Sequence, residues 1–96
     1  MTALSNTIIN DLKIDVASII EERENKRVEV ECLQIGKEAY EQQKNWIKVA
    51  SYQRAITAVQ ATIAAQDELI TTRIKEIRRI EEESKFLFDD LLQQYA

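Results

Sequence analysis

The sequence predicts an all-α protein: a helical hairpin with a long second helix, coiled-coil-like, that assembles into an oligomeric helix bundle. Three observations predict this fold. The 96 residues include no proline and one glycine, so the residues that most often end helices are nearly absent. Alanine, glutamate, glutamine, lysine, arginine, leucine and isoleucine dominate, which favours helix over strand. An aliphatic residue also returns at most seventh positions, as in helices that bury a narrow seam.

This seven-residue ladder holds one phase along the C-terminal two-thirds of the chain. Two polar residues, Gln42 and Ser84, interrupt it. Its apolar members are Val28, Ile35, Val49, Ile56, Ile63, Ile70, Ile77 and Leu91. Because a turn usually resets such a phase, the ladder favours one long second helix.

The first helix is predicted at about residues 4–34. Its opening stretch places Ile9, Leu12, Val16 and Ile19 at alternating spacings of three and four, which is the pattern of an amphipathic helix. A turn is predicted near Gly36, because glycine adopts the left-handed conformation that commonly follows a helix.

The second helix is predicted at about residues 38–94, within a single domain of residues 1–96. An alternative is a three-helix bundle with a further turn at residues 66–68, since Asp67 could cap the start of a third helix. The ladder passes this point without slipping, so the single long helix is preferred.

A first helix that ends near Gly36 covers only half of a second helix that reaches residue 94. The remaining aliphatic side chains would be exposed at a large free-energy cost, so a second copy of the chain is expected to cover them. The simplest assembly is a two-fold dimer that forms a four-helix bundle. The predicted oligomer interface is Ile56, Ile63, Ile70, Ile77, Ile80 and Leu91.

Few residues point to catalysis. The chain has no histidine and one cysteine, so imidazole bases and Ser-His or Cys-His pairs are excluded. No glycine-rich phosphate loop is present, and neither a metal nor a cofactor is expected. Glu38 and Glu41 share a helix face, which leaves a carboxylate-metal nucleotide hydrolase as a further alternative. The main prediction is that the protein is not an enzyme.

Net charge and hydropathy limit the classes of partner and the cellular compartment that can be expected. Seventeen acidic and thirteen basic residues give a net charge of -4, which disfavours ordinary nucleic-acid binding. Residues 37–66 carry four basic and two acidic residues, hence +2, between flanks that are each -3. No apolar run reaches a transmembrane length and no segment resembles a secretory signal. A cytoplasmic protein without a membrane partner is expected.

The predicted function is therefore protein–protein interaction by a helical homo-oligomer, such as an adaptor, an assembly factor or a structural subunit. Its expected partners are itself, as a homodimer, and another protein. Tryptophan and tyrosine are enriched in binding hot spots, and the densest aromatic patch lies near residue 90. The candidate partner-binding residues are Trp46, Phe86, Phe88, Leu92 and Tyr95. The alternative is a small acidic inhibitor or mimic, of the kind that phages encode, which blocks a basic site on its target.

Overall fold

The computed structural model describes the backbone of residues 3–95 and the side chains of residues 3–85 and 93. It contains two helices, α1 (Ala3–Gln42) and α2 (Trp46–Tyr95), which pack against each other as a hairpin. The described residues include no strand, so the all-α class and the hairpin are confirmed. No helix in the described part of the chain is long and apolar enough to cross a membrane.

Helix α1 ends in a pair of backbone hydrogen bonds that are characteristic of a Schellman motif. The amide of Asn45 donates to the carbonyl of Tyr40, and the amide of Lys44 donates to the carbonyl of Glu41, both at 3.0 Å. Lys44 adopts the left-handed conformation with a φ of 57°. These bonds satisfy carbonyls that the end of a helix would otherwise leave without partners.

The same Asn45 caps the start of α2. Its side-chain Oδ1 accepts a hydrogen bond from the amide of Lys48 at 3.3 Å, and its carbonyl accepts one from Val49 at 3.1 Å. An asparagine is among the residues that best satisfy the free amides at a helix start. The chain therefore reverses within three residues, 43–45, because one residue serves both helix ends.

Gly36 lies inside α1, so the predicted turn near Gly36 is wrong. The predicted end of the first helix at 34 and start of the second at 38 are wrong for the same reason, whereas the predicted outer ends, about 4 and 94, lie within one residue of those observed. This glycine does not have a positive φ. Its missing side chain instead leaves room for Tyr52, because a Cβ at Gly36 would lie 2.6 Å from the ring atom Cε1. Close packing between the helices, rather than chain reversal, accounts for the glycine.

Helix α2 continues through residues 66–68 without a break. The long second helix is confirmed and the three-helix bundle is wrong. Asp67 does not cap a helix; its Oδ1 accepts a hydrogen bond from Arg23 Nη1 at 2.7 Å. The uninterrupted ladder through Ile63 and Ile70 was the correct signal.

The chain divides into two compact units, each formed by one part of α1 and one part of α2. The end unit consists of Met1–Ile19 and Leu69–Ala96. Its described core is an aliphatic cluster in which side chains from both helices interlock: Ile9, Val16, Ile19, Ile70 and Ile77, with Leu12, Ile74 and Ile80 packed at the edge. Burial of these aliphatic side chains is the main force that joins the helices here.

The turn unit consists of Ile20–Glu68. Val30 and Ile56 are buried in it, and the rings of Tyr40 and Tyr52 pack with their centroids 5.5 Å apart. Buried and half-buried residues recur at spacings of three and four along both helices: residues 23, 26, 30, 33, 37 and 40 of α1, and 49, 52, 56, 59, 63 and 66 of α2. This alternation is the pattern of a coiled-coil seam.

Candidate interaction surfaces

The isoleucines that were predicted to form an oligomer interface lie mainly in the seam within the chain. Ile56, Ile70 and Ile77 are buried, and Ile63 and Ile80 are half-buried. The side chain of the remaining predicted interface residue, Leu91, lies outside the described residues.

The reason for predicting a dimer, that the first helix covers only half of the second, is therefore wrong for the described residues. Because the turn lies at residues 43–45, α1 is 40 residues long. In the end unit its own residues Ile9, Val16 and Ile19 pack with Ile70 and Ile77. Self-association remains a prediction, and three of the residues predicted for it, Ile56, Ile70 and Ile77, are already buried within the chain.

Two large apolar side chains are exposed where α2 begins. Trp46 is 62% exposed and Ile47 is 83% exposed. Lys44 and Lys48 flank them, and neither lysine forms an ion pair with a described residue. We call these four residues the tip surface. Trp46, a predicted partner-binding residue, is thus accessible to a partner.

The other predicted partner-binding residues belong to the last turns of α2. They are Phe86, Phe88, Leu92 and Tyr95. Their side chains lie outside the described residues, so their role stays a prediction.

A second exposed apolar surface runs along α1 in the turn unit. Its residues are Val28, Cys32, Ile35 and Ala39, at spacings of four, three and four, which places them on one face of a helix. All four are exposed, with Val28 at 56% and Ile35 at 68%. We call this row the outer stripe, because the seam occupies the opposite face of α1.

The sequence alone does not reveal the outer stripe, because Val28 and Ile35 belong to the same seven-residue ladder as the isoleucines of α2. The turn interrupts the helix, so ladder positions before and after it no longer lie on the same helix face. Ile56 therefore faces the seam, whereas Val28 and Ile35 face outward. The signal that could have separated them is Asn45, whose side chain favours the start of a new helix.

Acidic residues border the outer stripe along one side. Glu24, Glu31 and Glu38 follow one another at intervals of seven and are exposed. Glu24 lies 3.0 Å from Arg27 Nη1 and 3.6 Å from Arg23 Nη2. Glu31 and Glu38 form no ion pair with a described residue. Glu31 and Glu38 therefore carry negative charge that no described residue neutralises.

In the end unit, acidic and basic side chains are interspersed. Arg73 Nε lies 3.1 Å from Asp15 Oδ2, as an ion pair too bent for a hydrogen bond. Its Nη1 lies 3.6 Å from Glu76, and Arg79 lies 3.3 Å from Glu83. Arg73 and Arg79 are thus each paired with neighbouring carboxylates.

The concave features of the turn unit are shallow. An open depression of about 200 Å³ is lined by Leu33, Ser51, Tyr52 and Ala55. Among the described residues, no group of three histidine, cysteine, aspartate or glutamate side chains is placed to hold a metal ion. Of the two glutamates considered for a metal site, Glu41 lies 3.7 Å from Lys37 Nζ.

Comparison of the chain with protein families, with curated proteins and with solved structures finds no match.

Proposed function

We propose that the protein is a non-enzymatic interaction protein, a helical hairpin whose outer faces bind other proteins, including further copies of itself. The observation that carries this proposal is the number of large apolar side chains on its surface. Among the residues whose side chains are described, those with more than a third of their area exposed are Leu4, Ile8, Ile14, Ile20, Val28, Ile35, Trp46, Ile47 and Leu69. Water contact with so many such groups is unfavourable, and a partner would relieve it.

The total surface area supports the same proposal. The chain exposes 7364 Å², whereas a compact monomer of its mass exposes about 5,700 Å². The difference is roughly 1,700 Å², about twice the area that one protein contributes to an interface of standard size. A chain of this length therefore has ample unburied surface for a stable complex.

Self-association is retained in the proposal, but through the outer faces instead of the isoleucine seam. The tip surface is the first candidate, because tryptophan anchors are common in binding hot spots. Adaptor, assembly factor and structural subunit are all compatible with such a surface. A blocking mimic would need one contiguous acidic face, and the interspersed charges around Arg73 and Arg79 do not favour it.

Light scattering and affinity capture test this proposal together. The mass of the wild type is measured across a wide concentration range, and proteins that it captures from its native host are compared with those captured by Trp46→Gln/Ile47→Gln and by Val28→Gln/Ile35→Gln. Gln34→Ser/Gln43→Ser is the matched control, because it changes two exposed polar residues nearby.

We expect the wild type and the control to form a complex, either with themselves or with another protein. At least one of the two apolar variants should lose that complex while its helicity and thermal stability stay unchanged. A chain that remains an 11.1 kDa monomer at every concentration, and captures nothing that these substitutions abolish, would refute the proposal.

A further inference from the structure

We propose that the outer stripe is a docking surface for a basic amphipathic helix of another protein, which would lie along α1 as a third helix. This inference rests on the proposed function and names the class of partner. The site consists of Val28, Cys32, Ile35 and Ala39 with the acidic border of Glu24, Glu31 and Glu38, all within the turn unit.

The spacing of the outer stripe fits a helical partner. Val28 and Ala39 are eleven positions apart, or about 17 Å along a helix at 1.5 Å per residue. Amphipathic helices dock through anchors at similar intervals of three and four residues. Cys32, between Val28 and Ile35, and Ala39, beyond Ile35, are small, so a partner helix can approach closely at both positions. Three helical turns of apolar contact are therefore available.

The acidic border of the outer stripe favours a partner that carries positive charge. Glu31 and Glu38 border the stripe without an ion pair to a described residue, and Glu24 shares its charge with two arginines. Lysine or arginine residues beside the apolar face of a docked helix would lie next to these carboxylates. Flanking charges of this kind determine which helices pair in coiled coils.

The same charges argue against two other occupants. If the outer stripe of a second copy lay antiparallel on this one, the acidic rows of both copies would meet, and like charges across an interface are destabilising. An anionic membrane surface would repel the border for the same reason. A basic helix is the occupant that the border favours.

The probe is a designed helical peptide of about 18 residues with leucines spaced by four, three and four, flanked by lysines, as in known helix-docking motifs. The control peptide keeps the leucines and replaces the lysines with glutamates. The readout is the alkylation rate of Cys32, the only cysteine in the chain, which lies exposed within the stripe.

We expect the lysine peptide to slow the alkylation of Cys32 by about tenfold when its concentration is ten times its Kd, as mass action requires. The glutamate peptide should leave the rate unchanged, and added salt should weaken the protection. Val28→Gln/Ile35→Gln should abolish the protection. Ile47→Gln, an equally conservative change at the tip surface, should keep it.

Charge reversal gives the sharpest version of the test. The Glu31→Lys/Glu38→Lys variant should no longer bind the lysine peptide. The glutamate peptide should instead slow the alkylation of its Cys32. Equal protection by both peptides, or protection that survives Val28→Gln/Ile35→Gln, would overturn the inference. So would a rate that falls with protein concentration alone, since a second copy would then be the occupant. If the lysine peptide does not protect Cys32 but the protein still assembles through the tip surface, the docking proposal is wrong and the proposed function is still supported.

Discussion

Replacement of Gly36 by alanine separates a packing role for this glycine from a turn role. In the interior of an ordinary helix, glycine to alanine stabilises by about 0.8–1.0 kcal/mol. Here the added methyl would lie 2.6 Å from Tyr52 Cε1 and 3.1 Å from Cζ. The ring, whose centroid lies 5.5 Å from that of Tyr40, would have to shift.

The clash should at least cancel the gain in helix propensity. Overpacking commonly costs about 1–3 kcal/mol, so Gly36→Ala alone should destabilise the protein by about 0–2 kcal/mol in net terms. In a Tyr52→Ala background the obstacle is gone. The same substitution should then stabilise by about 1 kcal/mol, since only helix propensity remains.

Urea unfolding monitored by circular dichroism measures all four proteins: the wild type, the two single variants and the double variant. The prediction is a change of sign between the two backgrounds, with a coupling of more than about 1 kcal/mol, which is typical of residues in contact. A destabilisation of similar size in both backgrounds would refute the reasoning, because it would mean that Gly36 is needed for its backbone conformation.

Three further predictions concern the turn and the seam. Lys44→Gly should raise the free energy of unfolding by about 1 kcal/mol, because the left-handed conformation is strained for a residue that carries a side chain. Thermal unfolding measures this change, and unchanged stability would mean that the turn does not place residue 44 in the left-handed conformation. Ile70→Ala should cost about 2–3 kcal/mol as a core truncation, whereas Leu69→Ala, at its exposed neighbour, should cost less than about 1 kcal/mol; equal losses in urea titrations would contradict the seam. The Arg23–Asp67 pair, with 21% and 46% of the side chains exposed, should show a coupling of about 0.5–1 kcal/mol in a double-mutant cycle, weaker at high salt; no coupling at low salt would argue against the contact.

The helical class and the continuity of α2 could be predicted because both depend on local properties. Helix propensity acts residue by residue, and the phase of the ladder from Val49 to Ile77 records one unbroken helix. Asp67 was an ambiguous signal, because aspartate both caps helices and forms ion pairs. The structure assigns it to the second role through Arg23.

The position of the turn could not be predicted from residue preferences. The left-handed residue is Lys44, a type that rarely takes this conformation, while Gly36 offered a plausible but misleading alternative. The seam of α1 is also difficult to recognise in the sequence, because several of its residues are polar. Arg23, Lys26 and Lys37 occupy half-buried seam positions. Their charged groups form ion pairs with Asp67, Glu29 and Glu41, respectively.

The candidate surfaces followed from these same features. Trp46 could be proposed as an anchor from its residue type alone, and it is exposed. The outer stripe could not, because its recognition requires the phase of α1, and that phase depends on where the chain turns. With the turn at residues 43–45, Val28 and Ile35 lie on the face of α1 that is opposite the seam.

Closure of the hairpin within one chain is the central claim, and an isotope-filtered nuclear Overhauser experiment tests it most directly. Mixed ¹³C-labelled and unlabelled protein, unfolded and refolded together, distinguishes contacts within a chain from contacts between chains. Strong cross-peaks between Gly36 and the Tyr52 ring, and between Ile19 and Ile70, should be present in the fully labelled sample and absent from the filtered spectrum of the mixture. Appearance of these cross-peaks between labelled and unlabelled chains would contradict the account, because the seam would then be formed by two copies.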